Sequence, residues 1–245
     1  MITRILAGTA VGLALLAGTA GAAHADPVKG APELTHNDLY KTAKLPKVAC
    51  KLDKGTSSAS TKKYITKLVG CLNTAWKPAI KDFRPVKTEF KKPSEKESCS
   101  TGMDVSASFS EICATTISVR VADDWIKAKD DLKVFTSIVR TWSGVVTGQT
   151  GIGAAWWGLE NGASESVMDE QNRRYYLQLD CLTGVSAKSL GRVVKDWKPT
   201  LKIADFWKNR YHGKPANRLN WTEKGYKAGK PGACNTWSAS SSKVA

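Results

Sequence analysis

Histidine is what this chain lacks most. His24, His36 and His212 are the only three in 245 residues, and no H-E-x-x-H string occurs anywhere. Zinc hydrolases build their centres on three protein ligands, most often including histidine. A centre of that kind has almost nothing here to draw on. No G-x-S-x-G elbow is present either, so a Ser-His-Asp triad would rest on His36 or His212 alone. The six cysteines contain no C-x2-C pair and have no histidine nearby, which removes a structural zinc knuckle. RRM, KH, helix-turn-helix and zinc-finger signatures are missing, so no specific nucleic-acid partner is expected. With 20 glycines and 9 prolines the chain is neither collagen-like nor of low complexity. No cofactor is expected.

What is present begins with a leader. Arg4 precedes the apolar run Ile5 to Leu16, and small residues then lead to Ala23-His24-Ala25 ahead of Asp26-Pro27. This is the pattern of a secretory signal peptide cleaved after Ala25, giving expected divisions of 1–25 signal peptide, 26–47 N-terminal arm and 48–245 single domain. A membrane anchor is the alternative, but the run is diluted by Gly and Thr and closes on a cleavage site. No later stretch is apolar enough to cross a bilayer, so the cleaved chain is not expected to be an integral membrane protein. Export makes the cysteines legible as three disulfides in an oxidising compartment. Sequence alone permits about 15 pairings; taken in chain order they are Cys50–Cys71, Cys99–Cys113 and Cys181–Cys234.

Lys and Arg number 37 against 22 Asp and Glu, a net charge of +15. The cations spread over residues 41–63, 81–96, 188–214 and 224–230. Such a surface attracts polyanions, so anionic cell-envelope polymers are candidate partners; plain solubility is the competing use.

Helical periodicity marks two long segments. Tyr64, Ile65, Leu68, Val69, Leu72, Ala75 and Trp76 predict an amphipathic helix from Thr61 to about Ala79. Leu132, Phe135, Ile138, Val139, Trp142, Val145 and Val146 predict another from about Lys129 to Thr147, ended by Gly148, Gly151 and Gly153. Further helices are expected over Ser164–Ser189 and Ala216–Lys224. Strands are expected over Val48–Leu52 and Ile112–Val121, with an extended piece at Val86–Phe90. Residues 26–47 show no clear period and read as a loosely packed arm. The expected class is α+β, helix-dominated with a small sheet and stabilised by disulfides.

Several segments together resemble the secreted bacterial neutral zinc metallopeptidase family. They are Cys71-Leu72-Asn73-Thr74-Ala75-Trp76, the Cys99/Cys113 pair, Gln149-Thr150-Gly151-Ile152, and Arg173 through Cys181. Downstream come His212-Gly213-Lys214-Pro215, Arg218, Trp221, Gly225-Tyr226 and Cys234-Asn235-Thr236-Trp237. Their order runs from about Cys50 to Trp237. The resemblance implies a zincin-like scaffold, in which one helix carries H-E-x-G-H and a second supplies a glutamate ligand. Carried onto this chain, the first histidine falls on Arg140, the glutamate on Thr141, the second histidine on Gly144 and the third ligand on Tyr176. The aspartate of the second motif is kept as Asp180.

Each replacement is severe. Arginine has no lone pair to give a metal, glycine has no side chain, and threonine is no general base near neutral pH. The resemblance therefore implies a secreted, catalytically inactive homologue, a pseudo-peptidase that binds a peptide, a protein or an anionic envelope component. The alternative is an active hydrolase of altered chemistry, for which Asp123, Asp124, Glu160, Glu165, Asp169 and Glu170 offer carboxylates. The expected cleft carries Arg140, Trp142, Gly144, Tyr176, Asp180 and His212. Arg140 either pairs with Asp180 in place of an ion or merely lays its stem over apolar surface. His212, beside Gly213 and Pro215, reads as a turn residue bonded to backbone. Trp156-Trp157 is core packing or an exposed platform, and both rings cannot share one helix face.

Overall fold

The computed structural model describes residues 31–92, 107–113, 115–128, 130–159, 164–202 and 210–245. The leader, Cys99 and Glu160 lie outside them, and with them the expected Ala25 cleavage site and Cys99–Cys113 pair.

The architecture is α+β, with seven α-helices and one three-stranded sheet among the described residues. Two short helices, α1 (Pro32–Thr35) and a 3-10 turn at Asp38–Lys41, come first among the described residues. They are not a loose arm: Leu34 and Leu39 are buried in the main core, and Asn37 Nδ2 donates to the Thr150 carbonyl at 2.9 Å. Two leucines were too few to show a period, yet each fills a core position. The strand expected over Val48–Leu52 does not form. That segment is extended, but it is held by Val48 N–H to the Ser189 carbonyl and by the Cys50–Cys71 disulfide rather than by a neighbouring strand.

Helix α2 (Ser58–Trp76) starts three residues before the expected Thr61. Ser57 and Ser60 form a reciprocal capping box there, so the serine-rich stretch before Thr61 is a helix start. Its apolar stripe faces α4 (Leu132–Gln149), whose buried face includes Phe135, Ile138, Val139 and Trp142. The chain between these helices forms the sheet of β1 (Lys87–Lys91), β2 (Phe109–Cys113) and β3 (Thr116–Arg120), in the order β1-β3-β2. β3 is parallel to β1 and antiparallel to β2. The single strand expected over Ile112–Val121 is therefore a hairpin arm and its partner. In β3 Ile117 and Val119 are fully buried, and Ser118 and Arg120 are buried as well, so both faces of this central strand are covered.

The short α3 (Asp123–Ile126) follows the sheet, and α5 (Ile152–Trp157) follows α4 after Gly151, which takes φ 79°. Helix α6 (Glu165–Ser189) is the longest at 25 residues, and α7 (Pro215–Ala228) extends beyond the expected end at Lys224. These two pack backbone to backbone. A Cβ on Gly184 would stand 2.1 Å from the Thr222 carbonyl oxygen, and one on Gly225 2.0 Å from that of Cys181. The Cys181–Cys234 disulfide ties α6 to the 3-10 turn after α7.

Candidate functional site

The backbone approach of α6 and α7 sets the chemistry of the site. Asp180 lies one turn before Gly184 and Arg218 one turn before Thr222, so closing the helices brings the two side chains together. Arg218 Nε donates to Asp180 Oδ2 at 2.8 Å and its Nη2 to Oδ1 at 3.1 Å. Its remaining Nη1 donates to the Leu201 carbonyl. From the other side, α4 delivers Arg140, whose Nε donates to Asp180 Oδ1 at 2.7 Å. Arg140 is thus paired with Asp180, not laid along an apolar surface. Asp180 is 2% exposed, and two guanidiniums compensate its charge. Burial pushes its carboxyl up, but the charges and hydrogen bonds of Arg140 and Arg218 outweigh burial and hold it below the ordinary carboxylate range.

His212 joins the cluster instead of bonding to backbone. Its Nδ1 lies 3.1 Å from Arg140 Nη2. A guanidinium nitrogen can only donate, so Nδ1 accepts and the ring proton sits on Nε2. Burial, with the positive charges of Arg140 and Arg218 beside it, pushes the His212 pKa down to about 3 against the pull of Asp180. The ring is neutral at physiological pH. Tyr176 packs on it at 4.2 Å between centroids and takes the Arg140 guanidinium over its face at 5.4 Å. Gly213, at φ 79°, makes the turn that admits the imidazole.

These groups line an open-sided cavity of about 700 Å³ to which β2, α4, α5, α6 and α7 contribute. Arg140, Thr141, Gly144, Tyr176, Asp180 and His212 all reach it, so the structure collects every expected cleft residue except one. Trp142 is the correction. It faces away from the cavity into the core, fully buried and 6.5 Å from Phe83, because α4 turns about 100° per residue and Trp142 falls on the stripe with Val139 and Val146. At the cavity wall β2 lies across α4: the hydroxyls of Ser110 and Thr141 are 2.7 Å apart, and a Cβ on Gly144 would meet Ile112 Cδ1 at 2.7 Å.

Sequence reasoning missed Arg218 and Tyr175 as site residues and weighed Trp156 only as core packing or as half of an exposed Trp156-Trp157 platform. Trp156 stacks on Tyr175 with ring centroids 3.9 Å apart and planes 6° from parallel, and both line the cavity. Trp157 points outward, 77% exposed. The Trp-Trp doublet showed that one ring must differ from the other, but not which; Arg218 gave no signal without the α6–α7 contact.

Five of the carboxylates weighed for hydrolysis are described, and they lie elsewhere. Asp123 pairs with Lys127, Asp124 with Lys133, Glu170 with Arg174, and Asp169 and Glu165 with Arg210. None of these five lines the cavity, where the acidic residues among those described are Glu111 and Asp180. The donor set does not fit the zinc ion that the family resemblance implies. Arg140 and Gly144 offer no lone pair, and among the described residues no group of three or more His, Cys, Asp or Glu is placed to hold a metal.

The fold and site are those of an α+β, disulfide-stapled protein with a ligand-sized cavity around a buried Arg-Asp-Arg cluster. Compared with protein-family models, curated proteins and solved structures, the chain matches none. Among the described residues no helix is long and apolar enough to cross a membrane.

Proposed function

We propose that this protein is a non-catalytic binding protein on a zincin-like scaffold, a secreted pseudo-peptidase that holds a peptide, a protein segment or an anionic envelope component in its cavity without cleaving it. One observation carries the reading. At the positions that the resemblance assigns to a metal centre, Arg140 places a fixed cation against Asp180 at 2.7 Å, with Arg218 closing the other side. A guanidinium supplies charge where an ion would, but it can neither polarise a bound water by coordination nor give up a proton near neutral pH.

His212 adds support. A general base works best with a pKa near the operating pH, and a ring held at about 3 is a feeble one. The two disulfides, Cys50–Cys71 and Cys181–Cys234, suit an oxidising compartment and so support export. The +15 charge supports an anionic surrounding.

The test is turnover. Purified protein is incubated with casein and with a mixed peptide library, with and without added zinc. The reading expects no cleavage above the buffer blank under either condition. Zinc-dependent cleavage that survives repurification would overturn it.

A further inference from the structure

Among the described residues that line the cavity the charges do not balance. Arg140, Arg218 and Lys202 are cationic, Asp180 and Glu111 are anionic, and His212 is neutral. Within the cluster the imbalance can be assigned. Arg218 is 3% exposed and spends its donors on both Asp180 oxygens and on the Leu201 carbonyl. One carboxylate thus stands between two guanidiniums, and the cluster carries one net positive charge. Arg140 is the more exposed of the two cations, its side chain 27% exposed at the cavity wall. Its Nη1 makes no hydrogen bond to the described residues, and neither does His212 Nε2 or the Tyr176 hydroxyl. Three polar groups of one wall therefore keep uncommitted hydrogen-bonding capacity, at least two of them as obligate donors.

A buried or half-buried cation with spare donors is satisfied by an anion, and the planar guanidinium fork matches a carboxylate. A surplus of one charge suits a monoanion. The rest of the lining, with Trp156, Tyr175, Leu179 and Ile112, suits an apolar or aromatic body. The volume, about 700 Å³, is in the range of sites that enclose a small organic ligand.

We propose that the cavity is a carboxylate-binding site, taking an organic acid with an aromatic or aliphatic body whose carboxylate sits on Arg140. This inference rests on the binding-protein reading above and names the ligand class. Two sources share that chemistry, a free small acid and the C-terminal carboxylate of a peptide.

Tryptophan fluorescence or calorimetric titration of the intact purified protein separates them. The probes are N-acetylphenylalanine and its amide, and the tripeptide Ala-Ala-Phe with a free or an amidated C-terminus. The acids should bind at least about tenfold more tightly than their amides, and Arg140→Gln should abolish that preference while Arg140→Lys keeps part of it. A tripeptide acid that binds more tightly than N-acetylphenylalanine assigns the site to a peptide C-terminus; equal affinity assigns it to a small acid. The acid–amide comparison needs no variant, so it stands even if a substitution fails to fold. Equal binding of acid and amide, or no binding by any probe, overturns the carboxylate assignment. Neither result touches the non-catalytic reading, which the turnover assay tests separately.

Discussion

His212 connects the site to the stability of the fold through its protonation. Burial and the Arg140 and Arg218 charges push its pKa down to about 3, while an unfolded histidine titrates at about 6.5. Above pH 6.5 the ring is neutral in both states and the shift contributes nothing. Between about pH 6.5 and 3 the unfolded chain takes up a proton that the folded chain refuses. Stability therefore falls as pH falls, by at most about 1.4 kcal/mol per pH unit for this group. Asp180 acts lower: its carboxyl is held below the ordinary range, so its stabilisation is complete above about pH 4 and is lost only as pH drops through its folded pKa. His212→Asn keeps an acceptor for Arg140 and removes the titration. Urea unfolding at pH 7, 6, 5 and 4 should show a shallower loss of stability in this variant than in the parent; identical slopes would contradict the buried, neutral ring. At this scale the sequence was legible only in part. Arg140 and Asp180 could be paired through the spacing of two motifs, whereas His212 looked like a turn residue because its neighbours are a glycine and a proline. What overrides the turn chemistry is the Tyr176 ring and the Arg140 guanidinium, which arrive from other helices.

Helices α6 and α7 position Arg218, and they can do so because two glycines let their backbones touch. Gly225→Ala would drive a methyl into the Cys181 carbonyl, a backbone atom that cannot rotate away. The expected cost is about 3 kcal/mol or more, at the upper end of overpacking. Gly70, on the exposed side of α2 with nothing within 4 Å of its Cβ position, is the counterpart. Gly70→Ala should stabilise the protein by about 0.5–1 kcal/mol through helix propensity alone. Thermal unfolding of the two variants should thus move in opposite directions, and a neutral Gly225→Ala would mean that the helices are not in backbone contact. Periodicity placed α6 within one residue, over Ser164–Ser189 against the observed Glu165–Ser189, and fell short at the end of α7. α2 and α4 carry continuous apolar stripes, and their existence and faces were readable. α7 buries Arg218, Trp221, Thr222 and Gly225, a face with little apolar signal, so its last turn was lost. α6 also buries Gln171, Arg174, Gln178 and Asp180 beside its leucines, and the partners of Arg174, Gln178 and Asp180 include polar groups of the C-terminal segment and of α7.

Across the whole molecule, the two ends of the described chain are fastened to one core. Arg174 reaches from α6 to the carbonyls of Thr236, Trp237 and Ala239, and Asn235 Nδ2 donates to the Thr35 carbonyl 200 residues away. Trp237 Nε1 donates to Gln178, and Gln178 in turn to the Tyr40 hydroxyl. The Cys181–Cys234 disulfide, spanning 53 residues, secures this junction, and Cys50–Cys71 spans 21. Closing loops of these lengths is worth about 4 and about 3 kcal/mol in the chain-entropy model. The double substitution Cys181→Ser/Cys234→Ser should therefore destabilise more than Cys50→Ser/Cys71→Ser, and denaturant midpoints in the reverse order would contradict that account. The chain-order pairing gave both bonds, but not what they secure, because the polar contacts around Cys234 have no signature in the sequence.

The account turns on one statement, that a fixed Arg140–Asp180–Arg218 cluster stands where the resemblance would place a metal centre. Elemental analysis of the purified protein after incubation with zinc and desalting tests it most directly. The account predicts no more than trace zinc, with the same result for the Arg140→Gln variant. One zinc ion retained per chain would contradict it.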